Sequence, residues 1–273
     1  MILGMMTFSF DGMIRKRQID VPGIIRFCYE LGLDAVELTE RHWINPEEDI
    51  PATAEALKET GLRAACCNTS LDLITRGEEA RRERERRLRD LFDTLKELGC
   101  DIVMLGSPTK DLPPEEWRRQ FAIGLSEAAS LAEDYGITVT FENRGGSMGL
   151  MVGTTEHCLQ ILKHADDPRI RLTFDVGNFR YVGEDSSEAF DRLAHLIAHV
   201  HLKDLISRCN SFEMVPLGEG EVDNGVIIQK LMDLGYGGCL AIECGGRGTD
   251  LEDARKSVEF VKRRVNGDRC KAT

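Results

Sequence analysis

The chain has 273 residues, of which 42% are hydrophobic and 6% aromatic, and this is enough apolar material for a large core. Lys and Arg total 35 against 47 Asp and Glu, and the net charge of -12 argues against a broad binding surface for nucleic acid or anionic membrane. No stretch approaches about 18 uninterrupted apolar residues, and the N-terminus lacks the features of a signal peptide. Nine cysteines without a CxxC pair predict reduced thiols and no cysteine zinc site, so we expect a cytoplasmic protein.

Short apolar runs alternate with longer segments of helical periodicity along the chain, and this alternation is typical of parallel βα units. The apolar runs predict eight strands, at Ile2–Met6, Asp34–Leu38, Leu62–Cys66, Asp101–Leu105, Ile137–Phe141, Arg171–Phe174, Ala198–Leu202 and Cys239–Ile242. The segments that follow them predict eight helices, at Pro22–Leu31, Ala52–Thr60, Glu78–Leu98, Glu115–Tyr135, Thr154–Ala165, Ser187–His195, Gly225–Leu234 and Leu251–Val265.

Eight such units with no composition break and no long linker predict one (β/α)8 TIM barrel over residues 1–265. A doubly wound sheet with an appended domain fits this pattern less well. Residues 266–273 form a short polar tail that we expect to be frayed. The charge run at residues 76–90 has mixed signs at helical spacing, and this indicates a solvated helix face and not a nucleic-acid site.

Each of the last four strands has an ionisable residue at its end: Glu142, Asp175, His201 and Glu243. Strands of a parallel barrel are covered on both faces, so such a group must be paired, hydrogen-bonded or bound to a metal. All four residues lie at the C-terminal ends of strands, which is the face where barrel enzymes hold their active sites. The sequence therefore predicts one site at the mouth of the barrel.

Three carboxylates and one imidazole carry roughly three negative charges, and one divalent metal ion would neutralise most of them. An oxygen-rich set with one nitrogen favours Mn²⁺ and also suits Mg²⁺ or Co²⁺, with Zn²⁺ as a further alternative. The competing interpretation is a salt-bridge network that uses Lys203 and Arg144, or strand ends that emerge into water.

Several segments carry a resemblance to a known family: FENRGG at 141–146, LTFDVGN at 172–178, HVHLKD at 199–204, PLGEGEVD at 216–223 and AIEC at 241–244. They resemble the sugar phosphate isomerase/epimerase family with a xylose-isomerase-like TIM barrel, a group of ketose 3-epimerases, hydroxypyruvate isomerases and inosose isomerases. The same superfamily contains dehydratases, enzymes that cleave keto-glycosides, and apurinic endonucleases. The resemblance implies fold and metal site more strongly than substrate.

By this resemblance Glu142, Asp175, His201 and Glu243 are metal ligands, and Glu142 and Glu243 also form the catalytic acid/base pair. Moving a proton next to a carbonyl requires a base, a partner acid or base on the other face, and a Lewis acid for the developing enediolate. Two metal-bound glutamates on opposite sides of a pocket meet these needs.

Two positions depart from the family pattern. Many epimerases of this group carry His three residues after the sixth-strand Asp, and Asn178 stands there in this chain. Because Asn cannot relay a proton, we expect it to hydrogen-bond a substrate hydroxyl or Glu142. Met148 lies where some ketose epimerases place a substrate-binding Glu.

Further substrate contacts are predicted around the same mouth. Side chains alternate along a strand, so Lys203 shares the inward face with His201 and would meet a substrate oxygen, the alternative being a structural ion pair. Asn68 follows the third strand, and Trp43 follows the second and would pack its ring on a sugar, the alternative being a loop anchor.

Two glycine-rich loops at this end of the barrel each hold an arginine, RGGS at 144–147 and GGRG at 245–248. Arg144 and Arg247 are therefore candidates for binding a phosphate or carboxylate of the substrate. The alternative is a pair of flexible lid loops around a neutral sugar.

The main functional hypothesis is a metal-dependent isomerase or epimerase that acts on a keto-sugar or related hydroxy-carbonyl compound. The alternative is a lyase, dehydratase or keto-glycoside-cleaving enzyme with the same acid/base pair. A non-catalytic sugar-binding barrel is a remote alternative, as is an apurinic endonuclease, which needs more His ligands than the six here. We expect a small-molecule carbohydrate as partner and neither nucleic acid nor membrane. The oligomeric state is not readable from the sequence; only the resemblance implies a homo-oligomer, because barrels of this group are often dimers or tetramers.

Overall fold

A computed structural model describes residues 1–209 and 211–267 of the chain. Eight parallel strands form a closed barrel, in which each strand pairs with the next and the last pairs with the first. The barrel strands are β1 Ile2–Met6, β2 Ala35–Thr39, β3 Arg63–Ser70, β4 Ile102–Gly106, β5 Thr138–Glu142, β6 Ile170–Asp175, β7 Ile197–Arg208 and β9 Cys239–Glu243. A ninth strand, β8 Ser211–Val215, forms a hairpin with β7 outside the barrel. The predicted TIM barrel is confirmed.

Helices surround the barrel and connect its strands, with their apolar faces buried against the sheet. Aspartate and threonine side chains cap the N-termini of four helices and accept their free backbone N–H groups. The helices are α1 Asp11–Arg15, α2 Val21–Glu30, α3 Pro46–Thr60, α4 Glu78–Glu97, α5 Pro114–Glu133, α6 Gly149–Val152, α7 Thr155–Ala165, α8 Ser186–Leu193, α9 Asn224–Asp233 and α10 Asp250–Gly267.

The eight predicted strands all form, but two extend well beyond their predicted ends. Strand β3 continues four residues past Cys66, and β7 continues past Leu202 and pairs antiparallel with β8, from Asp204 opposite Val215 to Arg208 opposite Ser211. The apolar residues of this hairpin occur at most two in a row, as in Leu205–Ile206 and Met214–Val215, and longer apolar runs are the signal on which the prediction of strands rests. The hairpin therefore was not predicted.

Most predicted helices lie within two residues of their predicted bounds, but one begins much earlier, and the short helices α1 and α6 were not predicted. Helix α3 begins at Pro46, six residues before the predicted start, although it contains Pro51. Proline usually marks the start or end of a helix, but Pro46 at the first position and three acidic residues after it favour the earlier start. Helix α10 runs through Gly267, two residues into the predicted tail, and residues 268–273 lie outside the described part of the chain.

The loop that follows β8 is held by one buried carboxylate on β7. The side chain of Asp204 is fully buried and accepts backbone N–H groups of Gly218, Gly220 and Val222 at 2.8 to 3.1 Å. A Cβ atom at Gly220 would overlap the Asp204 carboxylate, so only glycine fits there. This aspartate points away from the mouth, as the alternation along the strand predicts.

The sequence predicts reduced cysteines and no membrane-spanning segment, and the described residues bear on both predictions. The eight described cysteines are free, and all but Cys209 are buried. Among residues 1–209 and 211–267, none of the helices combines the length and apolar character needed to cross a bilayer.

Gly124 of α5 packs directly on Leu73, which belongs to the segment that follows β3. A Cβ atom at this position would overlap the carbonyl oxygen of Leu73 and lie 2.7 Å from its Cβ atom. We expect Gly124→Ala to lower the free energy of unfolding by about 1–3 kcal/mol, measured by urea denaturation. The control is Gly237→Ala, where nothing lies within 4 Å of the new atom. Equal stability of the two variants would contradict this packing.

Candidate metal centre and active site

Four ionisable side chains meet at the mouth of the barrel. Glu142, Asp175 and Glu243 are the last residues of β5, β6 and β9, and His201 lies on β7 between them. One ligand atom from each of the four lies within 4.8 Å of the others. The shared C-terminal edge of the parallel strands brings together residues that are 101 positions apart in the chain. The structure thus groups all four residues that the sequence predicts as metal ligands.

His201 is oriented by a carboxylate on each side of its ring. Its Nδ1 atom lies 2.8 Å from Glu142 Oε1 and 3.9 Å from Asp175 Oδ2, and its Nε2 atom lies 2.8 Å from Glu37 Oε2. When Nε2 carries the proton that Glu37 accepts, the Nδ1 lone pair faces the other carboxylates. A carboxylate that orients a histidine in this way is a common feature of metal sites in proteins.

Glu37 lies on β2, inside the barrel, and is fully buried. Its Oε2 atom accepts from Nε2 of both His199, at 2.7 Å, and His201, and its Oε1 atom accepts from Nδ2 of Asn68 at 2.9 Å. Burial alone would raise the pKa of Glu37, but the two histidines hold that pKa well below its usual range. Glu37 is therefore an ionised carboxylate beneath the four clustered residues.

Asp175 uses its two carboxylate oxygens differently. Oδ1 accepts the backbone N–H of Asn178 at 2.7 Å, whereas Oδ2 faces the centre of the site. The side chain of Asn143 fixes this strand end, because it donates to the Asp175 carbonyl at 2.9 Å and accepts the Asp175 N–H at 2.8 Å. One carboxylate oxygen is thus held in place and the other is available to a ligand.

Lys203 lies among these carboxylates and partly balances their charge. Its Nζ atom is 2.7 Å from Glu243 Oε1, 3.4 Å from Asp175 Oδ2 and 3.3 Å from Asn178 Oδ1. Although burial opposes its charge, Asp175 and Glu243 raise the pKa of Lys203 above its usual value. The ion pairs of the salt-bridge interpretation are therefore present in this structure.

Lys203 alone does not balance three buried carboxylates. Burial raises the pKa of Asp175 to about 8, with Lys203 opposing this shift and the charges of Glu243 and Glu142 adding to it. An aspartate whose proton is so hard to remove indicates missing positive charge, which a divalent ion would supply. Three carboxylate oxygens and one imidazole nitrogen at mutually short distances therefore fit a divalent metal ion.

A cavity of about 850 Å³ opens above the four clustered residues. Seven of the predicted site residues line it: Trp43, Asn68, Glu142, Arg144, Asn178, Lys203 and Glu243. Asp175 and His201 are fully buried at its base. The volume is in the range of pockets that enclose a small organic ligand.

Arg247 lies elsewhere. Its guanidinium pairs with Asp253 of α10, with Nε 3.2 Å from Oδ2, and it is not among the residues that line the cavity. Asp253 lies six residues later in the sequence, on the next helix. The sequence alone does not show that its carboxylate faces the Arg247 guanidinium.

Two other predicted residues have contacts that the sequence did not anticipate. Asn68 is part of β3 and not of the loop after it, and its Nδ2 atom donates within the barrel to Glu37, Leu38 and Thr39. Asn178 makes no hydrogen bond to Glu142: its Nδ2 atom donates to the Asn143 carbonyl at 2.9 Å. Its backbone and side chain instead hold Asp175 and Lys203.

Sequence reasoning missed three residues of this site, Glu37, Asn143 and Tyr181. Glu37 could have been found, because it stands inside the predicted strand Asp34–Leu38 and a buried-strand carboxylate needs a partner. Asn143 directly follows Glu142 and has no signal of its own. Tyr181 lines the cavity from a short 3₁₀ helix, Asn178–Val182, after β6, where no pattern marks it.

The xylose isomerase-like TIM barrel family matches residues 25–264 of this chain. The chain belongs to this family. The match covers the strands that carry all four clustered residues and most of the residues that line the cavity above them.

Two relatives show how far the sequence similarity extends. An uncharacterized protein of Methanocaldococcus jannaschii is 30% identical over 185 residues, which are 64% of this chain and 60% of that protein. The chain therefore spans less than two thirds of the length of that relative. An inosose dehydratase of Clostridium perfringens is 26% identical over 253 residues, which are 80% of this chain and 82% of that enzyme.

Solved structures show the same fold. The IOLI protein with a bound zinc atom has a TM-score of 0.81 at 19% identity and covers 98% of this chain and 99% of its own. A D-tagatose 3-epimerase-like protein has a TM-score of 0.79 at 23% identity and covers 100% of both chains. At these identities the likeness establishes the architecture.

The role of Glu37 can be tested through metal affinity. In Glu37→Gln the side chain keeps its size but loses its negative charge, and its amide cannot accept from both imidazoles and from Asn68 at once, so His201 should be held less firmly in one tautomer. We expect Mn²⁺ affinity to fall about 10- to 100-fold, measured by competition with a chelator, and His201→Ala to lower metal content further. The control is Glu40→Gln, because Glu40 pairs with Arg87 outside the ligand set. Wild-type affinity in Glu37→Gln would contradict the arrangement.

Metal binding should also release protons. Without metal, Asp175 is protonated below its pKa of about 8, and Glu37 and Glu142 raise the pKa of His201 despite its burial. Both groups must lose a proton to bind an ion, so apparent Mn²⁺ affinity should rise with pH up to about 8. Calorimetric titration in two buffers of different ionisation enthalpy counts the protons. Binding without proton release would show that Asp175 is not a ligand.

Proposed function

We propose that this protein is a divalent-metal-dependent enzyme that moves a proton next to the carbonyl of a keto-sugar or related hydroxy-carbonyl compound, as an isomerase or epimerase does. The observation that supports this most directly is the grouping of two glutamates with Asp175 and His201 beneath a cavity. Glu142 and Glu243 come from β5 and β9, which two other barrel strands separate. They therefore face the cavity from different sides.

The two glutamates would divide the proton transfers. One carboxylate takes the proton from the carbon next to the carbonyl, and the other returns a proton to that carbon or to its neighbour. A bound divalent ion would act as a Lewis acid on the carbonyl oxygen. Mn²⁺ is our proposed ion, because three of the four donor atoms are carboxylate oxygens.

Other residues of the chain would hold the substrate in place for this transfer. The Lys203 ammonium, already 2.7 Å from Glu243, is placed to donate to a substrate oxygen. Trp43 and Tyr181 give the cavity aromatic walls on which a sugar ring can pack. The floor excludes water, because Asp175 and His201 are fully buried.

A dehydratase is the second candidate, and the similarity to inosose dehydratase over four fifths of the chain favours it. The first step would be the same proton abstraction. The substrate would then lose a hydroxyl from the β carbon, and a proton donor such as Lys203 would convert that hydroxyl to water. The two candidates differ in product and share their base.

Exchange of the substrate α-proton tests both candidates at once. We expect the Mn²⁺-loaded wild type to incorporate deuterium from heavy water into a keto-sugar or inosose from a panel, as seen by NMR. Glu142→Gln and Glu243→Gln should each slow exchange by at least about 100-fold, because the amide cannot accept the proton. The product then separates isomerisation from loss of water.

The control for charge and fold is Glu259→Gln on the exposed face of α10. Its exchange rate should equal that of the wild type, and circular dichroism should show the same fold in all variants. Full exchange in both active-site variants would rule out the acid/base pair. Absence of exchange in the loaded wild type, on every member of the panel, would favour a barrel that binds without turnover.

A further inference from the structure

Arg144 is the cavity arginine whose guanidinium is least engaged by the protein. It lines the cavity, and its side chain is 45% exposed, so a ligand can reach it. Its Nε atom lies 3.5 Å from Glu142 Oε2. In the described part of the chain its two terminal nitrogens donate no hydrogen bond.

The other two arginines that line the cavity are already paired. Arg41 donates to Asp11 Oδ1 at 2.7 Å and 3.2 Å, and its guanidinium carbon lies 4.9 Å from the Phe8 ring centroid. Arg87 donates to Glu40 Oε1 at 3.3 Å. Arg144 differs from both, because in the described part of the chain neither of its terminal nitrogens donates to a carboxylate.

Three of the carboxylates of the site can be offset without Arg144. A divalent ion and Lys203 together offset the three carboxylates of Glu142, Asp175 and Glu243. The fourth carboxylate, Glu37, lies on the far side of the His201 ring and is engaged by histidines. The guanidinium is thus left to meet charge that arrives with a ligand.

The residue that follows Arg144 packs against an aromatic side chain of the cavity wall. The ring of Tyr181 packs against Gly145 so closely that a Cβ atom there would overlap it, and Tyr181 in turn contacts Phe212 with ring centroids 5.0 Å apart. The backbone next to Arg144 therefore packs on an aromatic side chain that itself contacts Phe212. A cavity of about 850 Å³ has room for a sugar-sized ring and a further substituent.

We propose that Arg144 binds an oxyanion substituent of the substrate, a carboxylate or a phosphate, and so makes this enzyme selective for anionic hydroxy-carbonyl compounds. A guanidinium with free terminal nitrogens offers two parallel donors, which match such a group. This inference rests on the proposed function, because it assigns the class of substrate to the same site.

The test uses probes that lack the carbonyl group needed for reaction and that differ in the charged substituent they carry. Glucitol is a neutral polyol, gluconate carries a carboxylate, and glucitol 6-phosphate carries a phosphate. Binding of each to the Mn²⁺-loaded protein is measured by calorimetry. We expect at least one anionic probe to bind about 10-fold or more tightly than glucitol, and the two arms show which anion the site takes.

The variants show whether Arg144 is responsible. In Arg144→Gln the preference for the anionic probe should fall to within about 3-fold of glucitol, with metal content unchanged, and Arg144→Lys should recover part of it. The control is Arg180→Gln, which removes an exposed arginine that pairs with Glu221. It should keep the wild-type preference, because Arg180 does not line the cavity.

Two results would overturn the inference. One is a wild type that binds neither anion more tightly than glucitol, including no measurable binding of any probe. The other is a preference that survives in Arg144→Gln, since the anion is then held by the metal or by Lys203. Deuterium exchange on a neutral keto-sugar would still support the proposed function in either case, so the two failures are distinguishable.

Discussion

The closure of the parallel barrel is the constraint on which the rest of this molecule depends. The eight barrel strands run in the same direction, so their C-terminal ends emerge at one face, and residues far apart in sequence meet there. Elsewhere in a buried core, ionisable groups such as these would repel one another or lack partners. The groups concerned are Glu142, Asp175, His201 and Glu243. At this edge they share one small volume, and their combined charge makes the site suitable for a cation.

The interior of the barrel supports that edge from below. Glu37 contacts two histidines of β7 and Asn68 of β3, and all three residues are distant from it in sequence. Its ionised carboxylate needs these donors, and His201 needs an acceptor at Nε2 to present Nδ1 to the site. Each buried polar group thus satisfies another, which is how a polar network can exist inside a packed barrel.

Strands and loops differ in how well the sequence predicted them. The apolar runs predicted the barrel. The ionisable residues at the strand ends predicted the cluster of four, because burial on both faces of a strand leaves an ionisable group few alternatives. Glu37 follows the same rule and was overlooked in mid-strand. The position of Tyr181 and the β7–β8 hairpin depend on the conformation of loops, which hydrophobic periodicity does not predict.

The two arginine loops show why chemistry and selectivity need different arguments. Arg144 and Arg247 stand in similar glycine-rich sequences after β5 and β9, and the sequence alone makes them equivalent. The fold separates them, because α10 places Asp253 against Arg247, whereas Arg144 is left with Glu142 alone. Strand ends determine which reaction is feasible, and the partners that helices offer to loop residues determine which side chains are left for the substrate.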